Sequence, residues 1–188
     1  IKNYRPISLT ETLRKLYERC ILKRLTSTLE PFNIAQGGFR HHRSTLDQIA
    51  SLHEAILQRK ATTKSYPIVA YLDIQAAYDT VERSFLWKEL QERNVDNELL
   101  ISLQSLFDGN TSCVRLEGNQ SREISQPVGL LQGSILSPLL YAAFIDKLPA
   151  RLAESSSIRL HDCPLASFFY ADDIAILTRT DGCYAESL

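Results

Sequence analysis

FFYADDIAIL, residues 168–177, sets two adjacent aspartates, Asp172 and Asp173, inside an otherwise apolar run. Burying carboxylates side by side is expensive, because each loses hydration and repels the other. The flanking residues, Phe168 to Tyr170 and Ile174 to Leu177, read as two strands around the pair, within residues 165–178. Upstream, PIVAYLDI (67–74) reads as a short buried strand that ends at Asp73. If these strands are neighbours, three carboxylates converge. Hard oxygen ligands in that number suit Mg²⁺. Two such ions about 4 Å apart stabilise the attacking and leaving oxygens of phosphoryl transfer, and they also remove the repulsion. The plainer reading is an exposed Asp-Asp turn in water, which is common. From these residues alone both stand.

The rest of the chain alternates helices with short strands. Ser8 with Glu11 has the form of a capping box. Behind it Leu13, Leu16, Tyr17, Cys20, Ile21 and Leu25 recur at helical spacing, and the helix stops before Pro31. Gly37-Gly38 marks a tight loop, and Ser44 with Asp47 caps a second helix whose apolar face is Leu46, Ile49, Ala50, His53, Ile56 and Leu57. Helices follow over about 82–94 and 97–107, a β-hairpin over 112–128 turning at Gly118-Asn119, and a helix over about 138–153. Strands interrupted by helix pairs predict an α+β fold: an antiparallel sheet with helices packed on one face.

Composition bounds the class. The chain has 188 residues, is 44% hydrophobic and carries a net charge of −1. It holds no run of 18 apolar residues, so no membrane span is expected. The four cysteines are scattered without a CxxC pair, which argues against structural zinc and for a reducing, intracellular setting, nuclear or cytoplasmic. His161 and Cys163 have no second pair to complete a metal site. The near-neutral total hides an asymmetry: residues 1–66 carry twelve Lys/Arg against five Asp/Glu, and residues 67–188 nine against seventeen. A basic part beside an acidic one suits a protein that holds polyanions with one and metal cations with the other, though solvated helix faces give the same count. The chain begins at Ile1 and contains no Met, and reads as a piece of a longer translation product.

FYADDIAIL resembles the Y-x-D-D hairpin of reverse transcriptases, and it does not stand alone. NYRPISL (3–9), QGGFRHHRSTLDQI (36–49), VAYLDIQAAYDTV (69–81) and GLLQGSILSPLLYAAFIDKL (129–148) resemble successive blocks of the same family, in order. Their form is most similar to the enzymes of non-long-terminal-repeat retrotransposons and group II introns. Viral RNA polymerases usually have Gly before the Asp pair, where this chain has Ala171.

The resemblance implies a right-hand polymerase. Residues 1–66 would be basic fingers. Residues 67–188 would be a palm, incomplete at its C-terminal end and with room for a finger-like insertion. The thumb and other domains of the parent would lie outside the chain. It implies an RNA-directed DNA polymerase, with nucleotidyl transfer from a deoxynucleoside triphosphate to a primer 3′-hydroxyl on a template RNA. Two Mg²⁺ ions, with Mn²⁺ as the alternative, would be held by Asp73, Asp172, Asp173 and the backbone oxygen of Ile74. Tyr78 takes the place of an aromatic gate that leaves no room for a 2′-hydroxyl; without the motif it reads equally as core. Gln132 lies in the loop that contacts nucleotide and template, and Gly133, like Gly129, lets backbone approach substrate. Arg40 and Arg43 match basic positions suited to a triphosphate; which of them reaches it stays open, and Arg5 is a weaker candidate. His41 and His42 have no assigned chemistry. The competing expectation is an inert relic, or a nucleic-acid-binding domain descended from a polymerase. The isolated chain is expected to be weak or inactive.

Overall fold

A computed structural model describes residues 7–154, 159–160, 163–164 and 167–178. The opening residues with Arg5, and His161, lie outside that set. The elements run α1 (Thr12–Leu29), α2 (Thr45–Thr63), β1 (Ile68–Leu72), α3 (Arg83–Glu92) and α4 (Asn97–Phe107). Then come the short strands β2 (Thr111–Ser112), β3 (Arg115–Leu116), β4 (Asn119–Gln120) and β5 (Ile124–Ser125). The chain continues through α5 (Ser137–Ile145), α6 (Leu148–Glu154), β6 (Arg159–Leu160), β7 (Cys163–Pro164), β8 (Ser167–Tyr170) and β9 (Asp173–Thr178). The fold is α+β with antiparallel sheets. Among the described residues no helix is long and apolar enough to cross a membrane.

The chain divides into two compact units that interleave in sequence: residues 1–31 with 76–144, and residues 32–75 with 145–188. The division follows contacts, whereas a boundary after residue 66 follows charge and composition.

In the first unit α3 packs against α4, and Leu25, Leu86, Leu103, Phe107 and Leu140 are fully buried. Two cations thread this core. Arg83 is buried and donates from Nε to Gly129 O (2.8 Å), from Nη1 to Phe107 O (2.8 Å) and from Nη2 to Val128 O (3.3 Å). Its guanidinium also lies 5.4 Å from the centre of the Phe107 ring. Burial pulls its pKa down and the nearby Asp108 charge pushes it back up; it remains a cation. Arg14 pairs with the buried Glu18 (3.0 Å) and donates to Leu106 O (2.9 Å). The other oxygen of Glu18 accepts from Ile135 N at 2.8 Å. These long side chains give buried main-chain carbonyls and amides their partners where no helix or ladder does.

In the second unit a three-stranded sheet runs in the order β1-β9-β8, both pairings antiparallel. The last-made strand therefore lies in the middle. Helices α2 and α6 pack against β8. Phe168, Phe169, Ile174, Ala175 and Leu177 are buried, so the apolar halves of the hairpin form the floor of the unit.

Several local expectations are corrected. Ser8 and Glu11 form no capping box: Glu11 is itself the N-cap of α1 and makes no side-chain cap bond, while Ser8 N donates to Gln132 O at 2.6 Å. The hairpin turns at Glu117-Gly118, one residue earlier, with Leu116 opposite Asn119 and both turn residues at positive φ (48° and 80°). That is the two-residue turn matching strand twist. The helix expected over 138–153 breaks into α5 and α6. The strand at β1 is an edge strand rather than a buried one, with Ile68, Tyr71 and Leu72 exposed. The helical spacing marked α1 and α2, and Ile21 and Leu25 of α1 are buried as expected, but Leu13, Leu16, Leu46 and Ile49 are exposed, and in α2 the buried residue is Ala55.

Candidate active site

The hairpin β8–β9 has a two-residue loop, Ala171-Asp172, closed by Tyr170 opposite Asp173. The flanking apolar residues fix this register, because slipping by one residue would turn Phe169 and Ile174 out of the core. Asp172 is left in the turn, half-buried, and Asp173 opens β9, exposed. On the other side of β9, Leu72 of β1 lies opposite Ile174. Asp73 directly follows Leu72, and Asp173 directly precedes Ile174, so the two aspartates lie at the same end of this ladder. With Asp172 in the adjoining turn, three carboxylates lie at one end of the sheet.

Asp73 and Asp173 also line a cavity of about 430 Å³. Its other walls include Tyr71, Phe168, Tyr170 and Ala175 on the sheet, with Gln48, Ile49 and Leu52 of α2. Among the described residues no three His, Cys, Asp or Glu side chains are gathered closely enough to hold a metal ion as they stand. The donor set is nonetheless all hard oxygen at one strand end, which fits a Mg²⁺ ion that takes few protein carboxylates and completes its shell with water and substrate oxygens. Ile74 follows Asp73 and is half-buried.

Residues 33–40 run beside the hairpin. Gln36 pairs with Phe169 in a parallel bridge, with Gly37 N donating to Phe169 O (2.8 Å) and Phe169 N to Ala35 O (2.9 Å). Arg40 donates from Nη1 to Asn33 O (3.2 Å) and Gln36 O (3.0 Å), so this guanidinium braces the loop. Arg43 is exposed beside the cap of α2. There the Ser44 side chain and backbone, and then the Arg43 charge, hold Asp47 below the usual carboxylate range. Asn33 is in turn fixed through its N–H to Asp146 Oδ1 (2.7 Å). His41 and His42 are exposed, with no chemistry evident.

The remaining candidates lie in the first unit. Tyr78 stacks on the buried Tyr141 of α5, and its carbonyl accepts from Leu130 N at 2.7 Å. Gln132 donates from Nε2 to the Asp79 carboxylate at 3.3 Å. Gly129 and Gly133 both have positive φ (84° and 123°). A Cβ at Gly129 would lie 2.7 Å from Asp79 O, and one at Gly133 would strike Ser8 O. The backbone these glycines admit is the chain's own.

A family model described as reverse transcriptase (RNA-dependent DNA polymerase) matches residues 1–186. The chain belongs to the reverse transcriptase family. It is 30% identical over 182 residues to a retrovirus-related Pol polyprotein from type-1 retrotransposable element R2 of Popillia japonica, covering 95% of this chain and 25% of that protein. It is 32% identical over 192 residues to the RNA-directed DNA polymerase from mobile element jockey of Drosophila melanogaster, covering 98% and 20%. Against the probable RNA-directed DNA polymerase from transposon BS of the same fly the figures are 33% over 186 residues, 97% and 20%. The chain thus spans a fifth to a quarter of the length of these curated relatives. Gln36 opens one of the family-like blocks, but nothing in the sequence shows that its side chain reaches Ala171, 135 residues away.

Proposed function

We propose that the chain is the fingers and palm of an RNA-directed DNA polymerase of a non-long-terminal-repeat retroelement. It would join a deoxynucleoside triphosphate to a primer 3′-hydroxyl on a template RNA. The observation that supports this reading is the antiparallel register of β1 with β9, whose last pair, Leu72 and Ile174, is flanked by Asp73 on one strand and Asp173 on the other. Residues 1–66 are assigned to the fingers and 67–188 to the palm, and the rest of the machinery to segments that the longer relatives possess.

Asp73, Asp172, Asp173 and the carbonyl of Ile74 would hold two Mg²⁺ ions, or Mn²⁺. Bound there, such ions neutralise charge on the attacking and leaving oxygens of a phosphoryl transfer. The chain's own residues orient the reactants. Tyr78, backed by Tyr141, presents a ring to the sugar. The loop of Gln132 and Gly133, braced on Asp79 and Ser8, would contact template and nucleotide, as the family resemblance implies. Arg43 is the better candidate for the triphosphate, since Arg40 braces its own loop. Their shared contribution is alignment and preorganised charge.

The test is primer extension on an RNA template by the full natural chain with Mg²⁺ or Mn²⁺. Template-directed DNA is the expected product. A folded protein that makes none with either ion is an inert descendant of the family.

A further inference from the structure

The buried amide of Gln36 has no task in the polymerase reading. The residue is 1% exposed. Its Oε1 accepts from Gly38 N at 2.8 Å and from Ala171 N at 3.2 Å, and its Nε2 donates to Ala171 O at 3.4 Å. The opposite orientation would set the NH₂ group against two N–H donors, so the network fixes which end is which.

Next to this amide the main chain already follows the outer edge of β8, through the two bonds to Phe169. The backbone then turns away at Gly38, and the Gln36 side chain carries the ladder one step further, to Ala171. Ala171 sits at φ 61°, a left-handed conformation that an L-residue holds only when its surroundings impose it. A Cβ on Gly38 would run into the Ala171 amide nitrogen, so the loop has no slack toward the turn. The carbonyl that Gln36 grips belongs to the peptide joining Ala171 to Asp172. Its orientation sets the direction in which Asp172 leaves the turn.

We propose that Gln36 is a positioning residue for the carboxylate turn: by holding both main-chain groups of Ala171 it fixes Asp172 where a divalent cation can use it. The clamp stands on hydrogen bonds within this unit. Only its consequence for catalysis rests on the polymerase reading. The role needs a donor and an acceptor on one side chain. Methionine offers no donor and only a weak thioether acceptor, and an ionised glutamate offers only acceptors.

The experiment compares the full natural chain with Gln36→Met and Gln36→Glu. Hydrogen exchange resolved to the hairpin peptide, Mn²⁺ affinity by electron paramagnetic resonance, and kcat and KM for primer extension are measured. For Gln36→Met, exchange at the hairpin should rise and Mn²⁺ should bind about tenfold more weakly, as expected when the two bonds to Ala171 together contribute about as much as one ordinary hydrogen bond. kcat should fall while KM for the primer–template holds. Gln36→Glu should behave like the methionine variant near pH 8 and recover toward wild type as the pH falls to about 6, because a buried carboxyl reprotonates in that range and regains its donor. Each value is taken relative to wild type at the same pH. Unchanged hairpin exchange and Mn²⁺ affinity in Gln36→Met overturn the proposal. If that variant does not fold, the pH dependence of Gln36→Glu decides alone, and no recovery overturns it. A wild type that shows the expected exchange behaviour but makes no DNA sinks the polymerase reading and leaves the clamp standing.

Discussion

Tyr78 and Tyr141 lie ring over ring, with centroids 5.1 Å apart and planes 16° from parallel. Tyr141 is buried in α5, so it fixes the plane of a half-buried ring at the place assigned to sugar recognition. Tyr78→Ala should keep DNA synthesis but admit ribonucleotides about ten- to a hundredfold more readily, the range for one missing steric contact in a pocket. Tyr141→Leu should shift selectivity the same way by less, and lower stability by about 0.5–1.5 kcal/mol through the lost aromatic pair. Competition between ribo- and deoxynucleotides, with a urea melt of each variant, checks both. Unaltered sugar selectivity in Tyr78→Ala removes it from the site.

Asp172→Asn should cut template-directed synthesis by at least about a hundredfold, equivalent to roughly 3 kcal/mol of transition-state stabilisation. The side chain is only half-buried in a turn, so the urea midpoint should barely move. Full activity in this variant refutes the carboxylate mechanism.

Arg83→Met should cost about 3 kcal/mol or more, because it strips donors from the carbonyls of Phe107, Gly129 and Val128 in a buried place. Arg83→Lys should recover part of the loss, since an ammonium lacks the planar fork that spans three acceptors. Chemical denaturation of the three forms measures this, and equal stability of wild type and Arg83→Met contradicts it.

Asp47 has its folded-state pKa lowered, chiefly by the Ser44 side chain and backbone. A depressed carboxylate contributes stability that is present above its unfolded pKa and is lost as pH falls through the folded one. The start of α2 should therefore loosen in acid, below about pH 4. Asp47→Asn should be less helical near neutrality and should lose that part of the acid response. Hydrogen exchange over residues 45–50 as a function of pH checks it; parallel curves for the two proteins would be the contrary result.

What the sequence made legible was local. Ser44 and Asp47 are three residues apart, and their box forms as spaced. Ser8 and Glu11 have the same spacing, but the Ser8 amide is taken by Gln132, far along the chain, and no local rule sees that. Periodicity located α1 and α2 and found Ile21 and Leu25 of the inner face of α1, but it also took in Leu13 and Leu46, which satisfy the pattern and stay in solvent. The turn at Glu117-Gly118 was displaced because Glu117 adopts positive φ without a glycine to announce it. The carboxylates were legible because two charges in an apolar run need a reason. Gln36 was not, since a glutamine before two glycines reads as loop until Ala171 is seen beside it.

The order β1-β9-β8 also governs when the site comes into being. The strand that joins the other two is the last of the three to be synthesised, and its end is at Thr178. Until it leaves the ribosome, β1 and β8 have no common neighbour, and Asp73 and Asp172 belong to separate stretches of chain. Pairing across so long an interval is slow, because the loop must close before any contact rewards it. A message cut short before Asp173 would yield a polypeptide with nearly all the family's sequence blocks and no sheet to set them on. Truncation before this strand would thus remove the three-stranded sheet itself, whatever sequence lies upstream.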